Sequence, residues 1–344
     1  MFKVFIAEKK LRDIILAESR RPIKERSDLF KILKTAKNLY VAMDATDTEW
    51  IKQLKKEYRL VADTTRTAYI KKIPANPETV LKNPSSLFLL DIPFAEAKKI
   101  QKEYGVMCLS GTDPNITPLI DIYDEHTTDK GEPLSRGWDA VLDSVEQTPS
   151  NALILTDRYL FKTTNPRYGN GFDNIRSILN ELLPRELNTN YHVTVIFDKD
   201  NIDALYDFQT IAKRLNNIKE EFKRPYPITM EVLGISGKND TYHDLHNRRI
   251  VSNYFVVKMD YKLAAFNKNV GTVDQTIIPQ VLFTQESLNG RSSAPLKSMN
   301  QIVSALRDFS NSLSSPRTNH NSYYYAVDGQ WMEKCFAIRN RLIK

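Results

Sequence analysis

Between Ala152 and Ile235 the chain alternates apolar strands with helix-period stretches, and that order restricts the fold more than any other feature. Ala152–Thr156 (ALILT), His192–Phe197 (HVTVIF) and Ile228–Ile235 read as buried strands. Between the first two, Phe172, Ile175, Ile178, Leu179, Leu182 and Leu183 recur at helical spacing until Pro184 stops them. Between the second two, Ala204–Phe222 carries Leu205, Phe208, Ile211, Ala212, Leu215, Ile218 and Phe222 on one face, and Pro225 and Pro227 end it. Strands separated by helices lie parallel in one sheet, because only a long crossover returns the chain in the same direction.

The third strand delivers the most polar short run of the chain, His243-Asp244-Leu245-His246-Asn247-Arg248-Arg249. An apolar stretch follows, Ile250–Val257, read as one strand, and then Asp260–Phe266, a second strand or tight return. Arginine offers phosphate a planar fork of donors, and histidine can donate, accept or attack. A solvated turn with structural histidines also fits these residues.

Leu245 to Phe266 resembles the C-terminal domain attached to microtubule-interacting-and-transport (MIT) modules, which has a phospholipase D-like fold. The residues that carry the likeness are His246, Asn247, Arg248, Ile250, Asn253 and Phe266. Asn247 stands where that family has Asp, and the glycines of its turn are missing. Phospholipase D enzymes need His-x-Lys followed by Asp, twice per site. Here Arg248 lies two residues after His246 and Leu245 two after His243. The other histidines, His126, His192 and His320, have no such context. The resemblance therefore implies phosphate binding rather than phosphodiester cleavage, with His243, His246, Arg248, Arg249 and Asn253 as ligand-binding residues. His246 would be the nucleophile if a reaction occurs.

At 344 residues the chain suits two domains. Residues 1–111 read as a basic α/β domain. Up to residue 104 they hold 22 Lys and Arg against 14 Asp and Glu. Ser27 is positioned to cap a helix bearing Leu29, Phe30 and Leu33, and Thr46 with Glu49 forms a capping box. Asn38–Met43, Arg59–Ala62, Ser86–Asp91 and Gly105–Ser110 read as strands, and Phe94–Tyr104 as a helix. Asp44 and Asp91 end strands, where paired carboxylates could hold a divalent metal. They read as ordinary turn residues, and no metal or cofactor is expected.

Residues 112–149 carry nine carboxylates against Lys130 and Arg136, with four prolines, and read as an acidic linker. Residues 150–344 read as the phospholipase D-like α/β domain, a mixed sheet flanked by helices. Its later elements are a strand at Thr276–Phe283, a helix capped by Ser298 and Gln301, a polar loop at Ser310–Ser322, a strand at Tyr323–Val327 and a closing helix at Trp331–Leu342. Tyr323 and Tyr325 share one strand face and read as core.

The net charge of +7 favours an anionic partner. Cys108 and Cys335 are too few for a disulfide framework or zinc site, and no stretch has the length and apolarity of a signal core or membrane span, so a cytoplasmic location is expected. The function these features point to is a phosphate- or nucleic-acid-binding protein with a degenerate site, working with other protein subunits. The alternatives are a nuclease or phosphodiesterase completed by a second subunit, as in a homodimer, and a phosphoinositide-reading module at a membrane lipid surface.

Overall fold

The computed structural model describes residues 2–36, 38–43, 48–111, 116–120, 122–134, 137–162, 171–238, 245, 247–268, 270–283, 288, 294–313, 323–332 and 337–343. Two sheets dominate it. The first consists of β1 (Lys3–Ala7), β2 (Leu39–Ala42), β3 (Ala62–Asp63), β4 (Ser86–Leu90) and β5 (Cys108–Ser110), all parallel in the order β3-β2-β1-β4-β5. Between these strands run α1 (Glu8–Ser19), α2 (Asp28–Thr35), α3 (Thr48–Tyr58), α4 (Thr67–Lys72) and α5 (Phe94–Tyr104).

Strand alternation divides the core of this sheet. Val4 and Ile6 of β1 join the cluster containing Leu11, Phe30 and Leu54 of α1 to α3, while Phe5 joins the one containing Ile70 of α4 and Ile100 of α5. Helices therefore cover both faces, and the winding reverses at β1. Ser27 caps α2 as its position predicts, its hydroxyl accepting from Phe30 N–H at 3.3 Å. The proposed Thr46 cap lies outside the described residues.

The second sheet is mixed and runs β16-β15-β9-β8-β7-β10-β11-β14-β6. Its strands are β6 (His126–Thr128), β7 (Ala152–Thr156), β8 (Tyr191–Asp198), β9 (Ile228–Ile235), β10 (Arg249–Ser252), β11 (Phe255–Met259), β14 (Gln275–Val281), β15 (Tyr323–Val327) and β16 (Gln330–Met332). A separate small ladder joins β12 (Phe266–Asn267) to β13 (Val270–Gly271). β7, β8 and β9 are parallel, as their alternation with α7 (Gly171–Leu182) and α8 (Phe208–Glu221) requires, and the outer strands pair antiparallel. One face packs on α6 (Trp138–Leu142), α7 and α8. The other belongs to the same cluster as the first sheet's Val4 and Ile6, joined by Met299, Ile302 and Phe309 of α9 (Ala294–Leu313).

The two sheets meet through buried polar groups as well as through this shared core. The Tyr254 hydroxyl accepts from Met107 N–H at 2.7 Å and donates to the Ser86 carbonyl at 2.7 Å. The Asn151 amide donates to the Tyr104 carbonyl at 2.7 Å. Gly105, which ends α5 at φ 60°, is pressed so closely on the Ser150 carbonyl that a Cβ would stand 2.2 Å from its oxygen. Residues expected as the acidic linker are built into the second sheet: they supply β6 at its edge and α6, whose Trp138 donates to Asn174 Oδ1 at 2.8 Å in the core.

Four sequence expectations need correction. Ile250–Val257 is two strands rather than one, because the chain reverses at Asn253-Tyr254. Ser298 lies inside α9 and does not cap it, and the described part of the expected loop, residues 310–313, continues that helix. In its described part the expected closing helix at Trp331–Leu342 is replaced by other structure: Gln330–Met332 is the edge strand β16, turned back on β15 at Asp328-Gly329, and Arg341–Ile343 is a short 3-10 turn. Tyr323 and Tyr325 are buried together, as the strand period predicts, with Tyr324 on the opposite face and exposed.

Candidate functional site: the carboxyl edge of the second sheet

β10 runs antiparallel to β7, pairing Arg249 with Thr156 and Ser252 with Leu153. The first residues of β10 therefore lie beside the carboxyl end of β7, and the last residues of β11 return to the same edge, with Lys258 opposite Arg249. Thr156 Oγ1 donates to the Asn247 carbonyl, and Met259 N–H donates to the Arg248 carbonyl at 3.3 Å. These two bonds fix the entry into β10 and with it Arg248.

Arg248 and Lys262 lie close enough to act on Asp157, which follows β7, and Arg249 stands beside Arg248 in the chain and opposite Lys258 across the hairpin. Asp157 is fully buried. Its Oδ1 accepts from Tyr159 N–H at 2.9 Å and its Oδ2 from Leu263 N–H at 2.7 Å. Burial raises its pKa, opposed by those two bonds and by the charges of Arg248 and Lys262. Burial lowers the pKa of Arg249, with Asp260 opposing and Arg248 adding to the fall. The ammonium groups of Lys258 and Lys262 are likewise depressed by desolvation, Lys258 further by Arg249, while Asp157 resists the shift at Lys262. Among the described residues the Nε atoms of Arg248 and Arg249 are buried and make no hydrogen bond. One Arg249 terminal nitrogen donates to the Arg248 carbonyl at 2.7 Å.

The next strand ends extend the group. Arg158 follows Asp157, and its Nε stands 3.4 Å from Asp198 Oδ2 at the end of β8, an ion-pair distance without hydrogen-bond alignment. Lys199 donates to Asp200 at 3.0 Å, and the Ser236 hydroxyl beyond β9 binds the other oxygen of Asp200. Counting Lys162 and Lys238, the described part of this edge holds eight cationic side chains, with Asp157, Asp198, Asp200, Asp203 and Asp260 among the carboxylates. Cations half withdrawn from water and outnumbering their counter-charges favour the approach of an anion.

Arg248 and Arg249 both lie at this edge, Arg249 opposite Lys258 in the β10–β11 pairing and Arg248 just ahead of it, and strand alternation sends neighbouring side chains to opposite faces. His243 and His246 lie outside the described residues. Asn253 does not belong to the site. It sits at the opposite end of β10, fully buried, with its hydrogen-bonding capacity filled: its oxygen accepts from Asn151 N–H at 3.0 Å and Ala152 N–H at 3.2 Å, and its amide donates to Pro84 O at 2.9 Å and Asn151 Oδ1 at 3.0 Å. It is a junction residue between the sheets. Asp91 in the first sheet pairs with Lys10 at 3.2 Å, and Asp44 lies outside the described residues. Among the described residues no cluster of three or more His, Cys, Asp or Glu side chains is placed to hold a metal.

Sequence reasoning missed Asp157, Arg158, Lys199, Lys258 and Lys262. The signal was present: in α/β sheets ligands bind at the carboxyl ends of parallel strands, and these residues follow strand ends directly. Among the described residues no helix is long and apolar enough to cross a membrane. Compared with known proteins, the chain matches no family model and no curated protein.

Proposed function

We propose that the protein binds a phosphate-bearing polyanion, nucleic acid foremost, at the carboxyl edge of its second sheet. The observation that carries this reading is the crowding of Arg248, Arg249, Lys258 and Lys262 at two neighbouring strand ends, where burial withdraws Arg249, Lys258 and Lys262 from water, Arg248 opposes the charge of Arg249, and Arg249 that of Lys258. A phosphate placed among them relieves that repulsion and supplies acceptor oxygens to the guanidinium forks. The net charge of +7 draws the same class of ligand from a distance. The parallel β7-β8-β9 core followed by an antiparallel hairpin supports a phospholipase D-like reading of this half of the chain. Binding, not cleavage, is the proposed activity. A second His motif would be needed to protonate the leaving group, and the sequence holds none.

The test is equilibrium binding of a labelled oligonucleotide to Arg248→Ala, Arg249→Ala and, as a charge control, Lys56→Ala on the exposed face of α3. We expect each arginine variant to weaken binding about tenfold or more, as loss of a charge-assisted phosphate contact does. Lys56→Ala should change it little. The melting temperature should stay within a few degrees, because both arginines are only part-buried at the sheet edge. Equal losses from all three substitutions would place the binding in net charge and not in this edge.

A further inference from the structure

The same edge carries aromatic rings spaced between its cations. Tyr324, the second residue of β15, lies opposite Gly234 near the carboxyl end of β9, and the Lys199 ammonium stands 5.0 Å from its ring centre. Tyr159, just beyond β7, lies between Arg158 at 5.2 Å and Lys162 at 5.3 Å. Tyr261, just beyond β11, lies 6.0 Å from Arg248. Tyr261 is 56% exposed and Tyr324 38%, although Tyr324 also packs against Phe208 at 5.3 Å. From β15 to β11 the edge crosses six strands, a span of about 24 Å at the usual strand spacing. The rings are therefore strung along a line and each is paired with a cation, which is unlike the single contiguous apolar patch that a membrane or a protein partner would need.

We infer that this edge is a track for single-stranded nucleic acid, in which the cations hold successive phosphates and Tyr261, Tyr159 and Tyr324 stack on bases. The inference rests on the phosphate-binding reading above and adds the class of ligand to it. In a duplex the bases already stack on one another, so their faces are closed to these tyrosines. A single strand leaves them open, and base–aromatic stacking tolerates any sequence.

The experiment compares three labelled probes by fluorescence anisotropy: an oligothymidylate of about 12 nucleotides, an abasic strand of the same length, and a duplex. Anionic phospholipid vesicles are run in parallel. The oligothymidylate should bind about a hundredfold or more tighter than the abasic strand, since each of the three stacked bases contributes about tenfold. Tyr261→Ala should lose about tenfold of that advantage and Tyr261→Phe, which keeps the ring, should retain it. Tyr261 is exposed, so folding of these variants is checked by their melting curves alone. Equal affinity for the abasic and base-bearing strands, with Arg248→Ala weakening both, would overturn the stacking inference and leave the phosphate site standing. Preference for the duplex would also overturn it. Failure of every nucleic-acid probe, with the vesicles bound, would overturn both readings in favour of a lipid surface.

Discussion

Glu231 shows how one side chain can be fixed by partners that no local pattern announces. It is fully buried in β9. Its Oε1 accepts from the Tyr325 hydroxyl at 2.5 Å and from Arg339 N–H at 2.6 Å, and its Oε2 from the Thr194 hydroxyl at 3.1 Å. Burial raises its pKa above the ordinary 4.5, against the pull of those three donors. A carboxyl whose folded-state pKa is raised holds its proton to higher pH than in the unfolded chain. Its contribution is complete below 4.5 and is lost as pH rises through the folded value. Glu231→Gln removes the charge and keeps an oxygen for Tyr325 and Arg339. Its melting temperature should match the wild type in acid and exceed it increasingly toward neutral and alkaline pH. A difference that shrinks with rising pH would contradict the burial argument. Asn253 teaches the same lesson from the other side. A polar residue inside an apolar run looks like a ligand group, yet its partners lie 102 and 169 residues away in sequence. Only the folded chain shows that they use it up.

At the scale of elements, the sequence makes the centre of the second sheet legible. β7, β8 and β9 are buried on both faces, and their strand-helix alternation leaves one arrangement. The same double burial hid the β10–β11 hairpin, since a strand with no polar face gives no alternation to mark where it turns. The β15–β16 hairpin was legible in principle. Asp328-Gly329 is a strong two-residue turn signal, and both residues adopt positive φ, 49° and 77°. The Asp328 carboxylate accepts from Lys219 at 2.9 Å and from Met230 N–H at 2.9 Å, which ties the turn to α8 and β9. Gly329→Ala places a Cβ at positive φ, 3.1 Å from the Asn216 Cβ, and should cost about 1–2 kcal/mol in chemical denaturation. No loss there would mean that the turn relaxes to another form.

For the whole molecule, the shared core decides how the two sheets behave. Phe2 of the first unit meets Phe283 of the second with ring centres 5.0 Å apart, and Tyr254 binds the first sheet's backbone from within the second. Tyr254→Phe leaves Met107 N–H buried without its acceptor and should cost about 1–3 kcal/mol. Because the cluster holds residues of both sheets, that loss should lower the midpoint of one common unfolding transition. Two separate transitions, with only one moved, would show that the sheets unfold independently. The candidate site also belongs to this scale. Its cations come from strand ends that are brought together by the sheet order, so the sequence pattern disclosed Arg248 and Arg249, which are adjacent in the chain, and not Arg158 or Lys258.

The most direct test of the account is the salt dependence of oligonucleotide binding between about 0.05 and 0.2 M monovalent salt. If the strand-end cations hold phosphates, the logarithm of the binding constant falls linearly with the logarithm of salt concentration. Arg248→Ala should then make that slope shallower by about one, and the Arg248→Ala, Arg249→Ala pair by about two. A flat response in the wild type, or a slope that both variants leave unchanged, would contradict phosphate binding at this edge.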